Sequence, residues 1–191
     1  AAIGASACNI NVAGQASNTT VMVSGGWCNT SSLSLSSVTA GNSTINVYMN
    51  DTAGNWGLNN SFTVFADDTA PTALLPVHTN ASIKRTDQSL TLNISVSDSG
   101  SGASSPCVVN VSTSSTGNQS IVQSGGWCNG TYALTGASDG NQTIKVWAND
   151  TAGNVALNNS FTVFMDTTGP TGTLPAYTNA SIKRTDQSLT L

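Results

Sequence analysis

Three observations predict an all-β chain of antiparallel sandwiches in tandem, about 99 residues per repeat. Apolar residues alternate with polar ones over short runs, which is the period of a half-buried strand. Clusters of Gly, Asn, Asp and Ser break those runs roughly every 8–12 residues, as the turns of a sandwich do. The stretch Asn141–Asp166 (NQTIKVWANDTAGNVALNNSFTVFMD) also repeats Asn42–Asp67 (NSTINVYMNDTAGNWGLNNSFTVFAD), 99 residues earlier. A period that long marks a self-contained domain strung in tandem rather than a solenoid coil.

The repeated stretch reads as a hairpin. Ile144, Val146 and Ala148 share one face of its first strand, and Phe161, Val163 and Met165 share one face of its second. NDTAGN between them supplies the Asp, Gly and Asn that tight turns favour. The complete unit is expected over residues 69–167. It opens with Ala70–Val77 (APTALLPV), whose prolines suit an edge strand or a linker. Ser89–Ser97 (SLTLNISVS) is the clearest strand, with Leu90, Leu92, Ile94 and Val96 facing in. Asp98–Gly102 turns the chain, and Cys107, Val109 and Val111 face in along the next strand. Ile121, then GGWC at Gly125–Cys128, then Tyr132 with Leu134 mark further short strands.

Two other stretches share the period: SGGWCN at Ser24 and Ser124, and NASIKRTDQSLTL at Asn80 and Asn179. Residues 1–68 therefore read as the same unit without its first two strands. Residues 168–191 read as those two opening strands again. Either the chain is a window on a longer array, or subunits complete one another head to tail, one copy donating strands to the next.

Composition excludes several classes. Only 7% of residues are charged, against a typical ~25%, and all nine acids are Asp. A net charge of −4 with five Lys and Arg lacks the basic footprint of a nucleic-acid binder. No apolar run approaches the ~20 residues of a membrane span, and Ala1–Cys8 has no basic start or long apolar core of a signal peptide. With one His, no Glu and four pairable Cys, no base–nucleophile pair presents itself, so no enzyme activity is expected.

The four Cys fall two per repeat. Cys8–Cys28 and Cys107–Cys128, at spacings of 20 and 21, are the natural pairing of the three available, since each repeat then staples itself. Such a loop stabilises by about 3 kcal/mol in the chain-entropy model. Disulfides point to an oxidising, extracytoplasmic setting. Zinc is disfavoured, because there is no C-x-x-C and the only His, His78, reads as a linker residue. Trp27 and Trp127, beside the second Cys of each pair, are expected to pack over the bridge.

The most specific signal is the N-x-S/T sequon. Fourteen asparagines begin one: Asn18, Asn29, Asn42, Asn50, Asn59, Asn80, Asn93, Asn110, Asn118, Asn129, Asn141, Asn149, Asn158 and Asn179. With this Ser/Thr content, 21 Asn would yield only about six by chance. Asn93 lies between inward Leu92 and Ile94, and Asn110 between inward Val109 and Val111, so alternation points both outward. NTT pairs with NQS, NTS with NGT and NST with NQT across the two copies: the middle residue differs while the acceptor persists. Dense N-glycosylation is expected, and it accounts for the low charge, since sugars supply the solvation. Asn50 and Asn149, inside the NDTAGN turns, have turn formation as an alternative role.

NDTAGN before a closing strand, the junctions Phe62–Pro71 and Phe161–Pro170 (FTVF-x-D-[DT]-T-x-P), and VSDSGSG at Val96–Gly102 resemble the tandem Ig-like repeats of bacterial and archaeal extracellular surface proteins. With paired Cys and a heavy sequon load, the chain is most similar to archaeal versions. The resemblance implies an Ig-like sandwich in an extracellular rod. Because antibody-type domains bridge their sheets with Cys much further apart, this bridge is expected to tie neighbouring strands or a loop. The resemblance also implies Ca²⁺ at domain junctions, with Asp67, Asp68 and Asp166 as candidate ligands and Asp51, Asp98 and Asp150 as further oxygen donors. Turn capping is the leading reading of these acids, since no D-x-D-x-D-G loop appears; no cofactor is expected on that reading, and Ca²⁺ is the alternative.

The expected function is a structural subunit of a glycosylated extracellular filament or cell-surface stalk, partnered by itself head to tail or by adjoining repeats. The rival is an adhesin gripping carbohydrate or another cell through Tyr48, Trp56 and Trp147. Replacement of Trp56 by Val155 in the second copy weakens that rival.

Overall fold

The structure, a computed structural model, describes residues 4–75 and 82–173. Asn80, Asn179, His78 and most of the expected opening strands within 168–191 lie outside the described residues.

Among the described residues every element is a strand. The first five are β1 (Ala5–Val12), β2 (Thr19–Ser24), β3 (Trp27–Asn29), β4 (Gly41–Asp51) and β5 (Trp56–Ala66), and they form one sheet in the order β3-β2-β1-β4-β5. Next come β6 (Thr72–Leu74), β7 (Ser82–Lys84), β8 (Ser89–Ser97), β9 (Ala103–Val111), β10 (Gln119–Ile121), β11 (Gln123–Ser124), β12 (Trp127–Ala133), β13 (Gly140–Asp150) and β14 (Val155–Met165). These build two sheets, β10-β9-β13-β14-β7 and β11-β12-β8-β6, facing one another across a single core. The architecture over these residues is an Ig-like β-sandwich.

Alternation in the sequence explains the core. Leu90, Leu92, Ile94 and Val96 of β8 are buried against Val109 and Val111 of β9 and against Ile144, Val146, Phe161, Val163 and Met165 of the β13–β14 hairpin. Each such side chain contributes roughly 1.5–3 kcal/mol by leaving water. Tyr132 is also fully buried, and its hydroxyl donates to the Gly117 carbonyl at 2.7 Å, so no polar atom is stranded. Gln142 fills the core edge in the same way, accepting from Ser112 and Thr113 hydroxyls and donating to Ser138 O.

Two features depart from a simple antiparallel pattern. β7 pairs parallel with β14, with Ile83 opposite Phe164. And β10 and β11 are one strand that changes sheets at Val122: Gln119–Ile121 pairs with β9, whereas Gln123–Ser124 pairs with β12.

The first sheet has the same hairpin with the same irregularity, a register shift between Ile45 and Val47 that matches the one between Ile144 and Val146. Its apolar side is only half covered. Phe62 is 55% exposed where its counterpart Phe161 is 7%, and Ile45, Val47 and Met49 are half-buried around a small cluster of Cys8, Ile10 and Val21.

Candidate functional site

The hairpin turn shows why NDTAGN recurs. Asp150 sits at the end of β13, and its Oδ1 accepts from Asn154 N at 2.8 Å while Oδ2 accepts from Asn154 Nδ2 at 2.7 Å. Gly153, at φ +95°, takes the left-handed turn that other residues resist. Asp51, Gly54 and Asn55 build the same turn between β4 and β5. The Asn55 side chain, then its backbone amide, holds the Asp51 carboxyl below its ordinary value of 3.8.

At the junction of the two halves, three carboxylates converge. Asp67 follows β5, Asp98 follows β8 and Asp150 ends β13, and a ligand oxygen from each lies within 4.8 Å of the others. Asp98 Oδ2 accepts from Gly100 N at 3.0 Å and Gly102 N at 2.8 Å, but its Oδ1 is fully buried with no partner. Asp67 accepts from Thr69 N and Ser101 N, and its backbone carbonyl accepts from Asn154 Nδ2 at 3.0 Å, so the turn of the sandwich is tied to the end of the first sheet. The Ser101 hydroxyl, then the Ser101 and Thr69 amides, keep the Asp67 carboxyl below its ordinary value. A Cβ at Gly100 would overlap that carboxylate, so glycine is what allows the close approach. Asp150 is only 3% exposed. Among the described residues the one ion pair is Arg85–Asp87, so no basic group offsets the trio.

Three neighbouring carboxylates, one with an orphaned buried oxygen, are a donor set that fits a hard divalent cation. The structure groups Asp67 with Asp98 and Asp150. Asp68 and Asp166 are outside the group, and Asp166 instead accepts from Thr168 N.

The disulfides join Cys8 to Cys28 and Cys107 to Cys128, with Cα–Cα distances of 5.9 and 6.2 Å. The second does not tie neighbouring strands, as its short spacing suggests. Cys107 lies on β9 and Cys128 on β12, in opposite sheets, and both are fully buried. The switch of the chain at Val122 makes this reachable, because it carries the intervening loop from one sheet to the other. Trp27 and Trp127 do not cover the bridges. They are 73% and 42% exposed, because strand neighbours of an inward Cys must point outward.

None of the twelve described sequon asparagines is buried. Asn18, Asn29, Asn42, Asn93, Asn118, Asn129 and Asn141 are exposed, and Asn50, Asn59, Asn110, Asn149 and Asn158 are half-buried. Asn158 differs from the rest. Its Oδ1 accepts from Ser160 N and Oγ, and its Nδ2, the atom a glycan would use, donates to Ala73 O at 2.8 Å. That side chain ties β14 to β6 across the sandwich, a role the acceptor motif alone did not reveal.

No protein-family model matches the chain, and no curated protein matches it. Among solved structures, the fibronectin(III)-like modules of Clostridium thermocellum CbhA are similar at 14% identity and a TM-score of 0.44, over 86% of this chain and 80% of that one.

Proposed function

We propose that this chain is a structural, non-catalytic part of a glycosylated extracellular filament or cell-surface stalk, built from Ig-like units end to end. The observation that carries this is the placement of the sequons. They far exceed chance, and every described one lies outside the core. The disulfides support an oxidising compartment. Adjoining repeats, or a second copy head to tail, would supply strands of the β6–β8 type to the half-covered face of the first sheet. Asp67, Asp98 and Asp150 would hold Ca²⁺ at the junction, where the ion would neutralise three like charges and fasten the first sheet to the sandwich. The adhesin reading draws on Trp56, exposed beside the turn between β4 and β5, but Val155 takes that place in the second copy, so the aromatic does not repeat.

Electron microscopy of chains carrying extra copies of residues 69–167 tests the rod. The expected result is thread-like particles that lengthen by one fixed increment per copy. Compact particles that only thicken would overturn it.

A further inference from the structure

Exposed indoles are the part of this surface that solvation explains least. Trp127 stands on the outer face of the β11-β12-β8-β6 sheet, opposite Ser124 on one side and Ser95 on the other. Neither serine is large enough to cover the ring. Trp27 takes the same place in the first sheet, opposite Ser24.

The sequence places these rings in a pattern. Trp27, Tyr48, Trp127, Trp147 and Tyr177 each stand two residues before a sequon asparagine, respectively Asn29, Asn50, Asn129, Asn149 and Asn179. These are five of the seven Trp and Tyr in the chain, where chance would place roughly one in fourteen. Repeat-related pairs are not independent, yet Tyr48 becomes Trp147 between copies while ring and acceptor both persist.

Geometry gives the spacing a consequence. Residues i and i+2 of a strand share a face and lie about 7 Å apart along it. On β12, Cys128 points into the core while Trp127 and Asn129 point out together. On β13, Trp147 and Asn149 lie on the outer side between buried Val146, Ala148 and Asp150. No protein hydrogen bond engages the Asn129 side-chain amide among the described residues, in contrast to Asn158. A sugar attached to Asn129 Nδ2 therefore starts beside an uncovered indole. A pyranose ring has one face of C–H bonds whose hydrogens are slightly positive, and the indole face is electron-rich. Laying one on the other also removes apolar ring surface from water.

We propose that Trp127 and Trp27 are platforms for N-linked glycans: the first pyranose on Asn129 stacks on Trp127, and that on Asn29 stacks on Trp27. The inference rests on the glycosylation proposed above and adds where the sugar lies and what holds it. The glycan thereby becomes part of the folded surface, and the exposed rings become its internal binding site rather than a site for foreign carbohydrate.

The test uses the full chain made in an N-glycosylating host, with Trp127→Ser, Asn129→Gln and the double variant. Site occupancy is read by glycopeptide mass and stability by the thermal unfolding midpoint. The expected result is an occupied Asn129, a fall of about 4 °C for Trp127→Ser, and no fall from the same change in the Asn129→Gln background. Trp127→Phe, which keeps an aromatic face, should retain most of the midpoint. Equal falls in both backgrounds, or none with Asn129 occupied, would overturn the stacking and leave the glycosylation reading standing. An unmodified Asn129 would overturn both at this position.

Discussion

A single asparagine shows how one motif serves two ends. Asn158 begins a sequon, but both ends of its amide are committed to Ser160 and to Ala73 O. Asn158→Ala should cost about 1 kcal/mol, typical for the loss of such a bond, measured by denaturant unfolding. A change below the error of the measurement would contradict the strut. Sequence alternation placed Asn93 and Asn110 outward, as they stand. It could not show that Asn158 is occupied by protein, because Ala73 is 85 residues away and in the opposite sheet. The acidic side chains add a pH dependence. Hydrogen bonds lower the carboxyls of Asp51 (chiefly from Asn55), Asp67 (chiefly from Ser101) and Asp139 (chiefly from Thr167) below 3.8. A carboxyl lowered on folding stabilises the fold above its unfolded value, and that stability is lost as pH falls through the folded value. The unfolding midpoint should therefore be flat near neutrality and drop below pH 3.8. A midpoint that rises on acidification would contradict this sign.

Among the elements, β8 and the β13–β14 hairpin were legible because their apolar residues alternate without interruption. Cys107 with Cys128 was legible as a pair but not as a link between sheets. Spacing reports how much chain lies between two cysteines, not that β10 and β11 change sheets at Val122. The parallel pairing of β7 with β14 was hidden for a similar reason, since three residues carry too little pattern to assign a partner. Replacing both Cys107 and Cys128 with Ala should cost about 3 kcal/mol by freeing the unfolded chain, read as a lower denaturant midpoint. An unchanged midpoint would mean the bridge adds no stability to the sandwich. The two hairpins offer a second comparison. Ile144 is fully buried and Ile45 only half. Ile144→Ala should cost about 2–5 kcal/mol and Ile45→Ala distinctly less, and equal losses would show that the first sheet is covered as completely as the second.

For the whole molecule, Asp67 ties the first sheet to the sandwich through Ser101 and Asn154, and it stands in a trio with Asp98 and Asp150. Its members lie 31 and 52 residues apart in sequence, from Asp67 to Asp98 and from Asp98 to Asp150. Only the folded hairpin turn brings them together, which is why junction acids alone pointed to Asp68 and Asp166 as well. Chelation should lower the thermal midpoint of the intact chain, and Asp98→Asn should remove that response. A midpoint indifferent to chelator would leave the trio as turn caps. The proposed sugar coat matters more to the account than the proposed ion, because it would explain the scarcity of charge, the outward sequons and the exposed indoles together. Glycopeptide mapping of the full chain from an N-glycosylating source tests it residue by residue. Sugar on Asn29, Asn93, Asn129 and Asn141 with Asn158 bare is the expected result, whereas a chain whose exposed asparagines are all unmodified would contradict it.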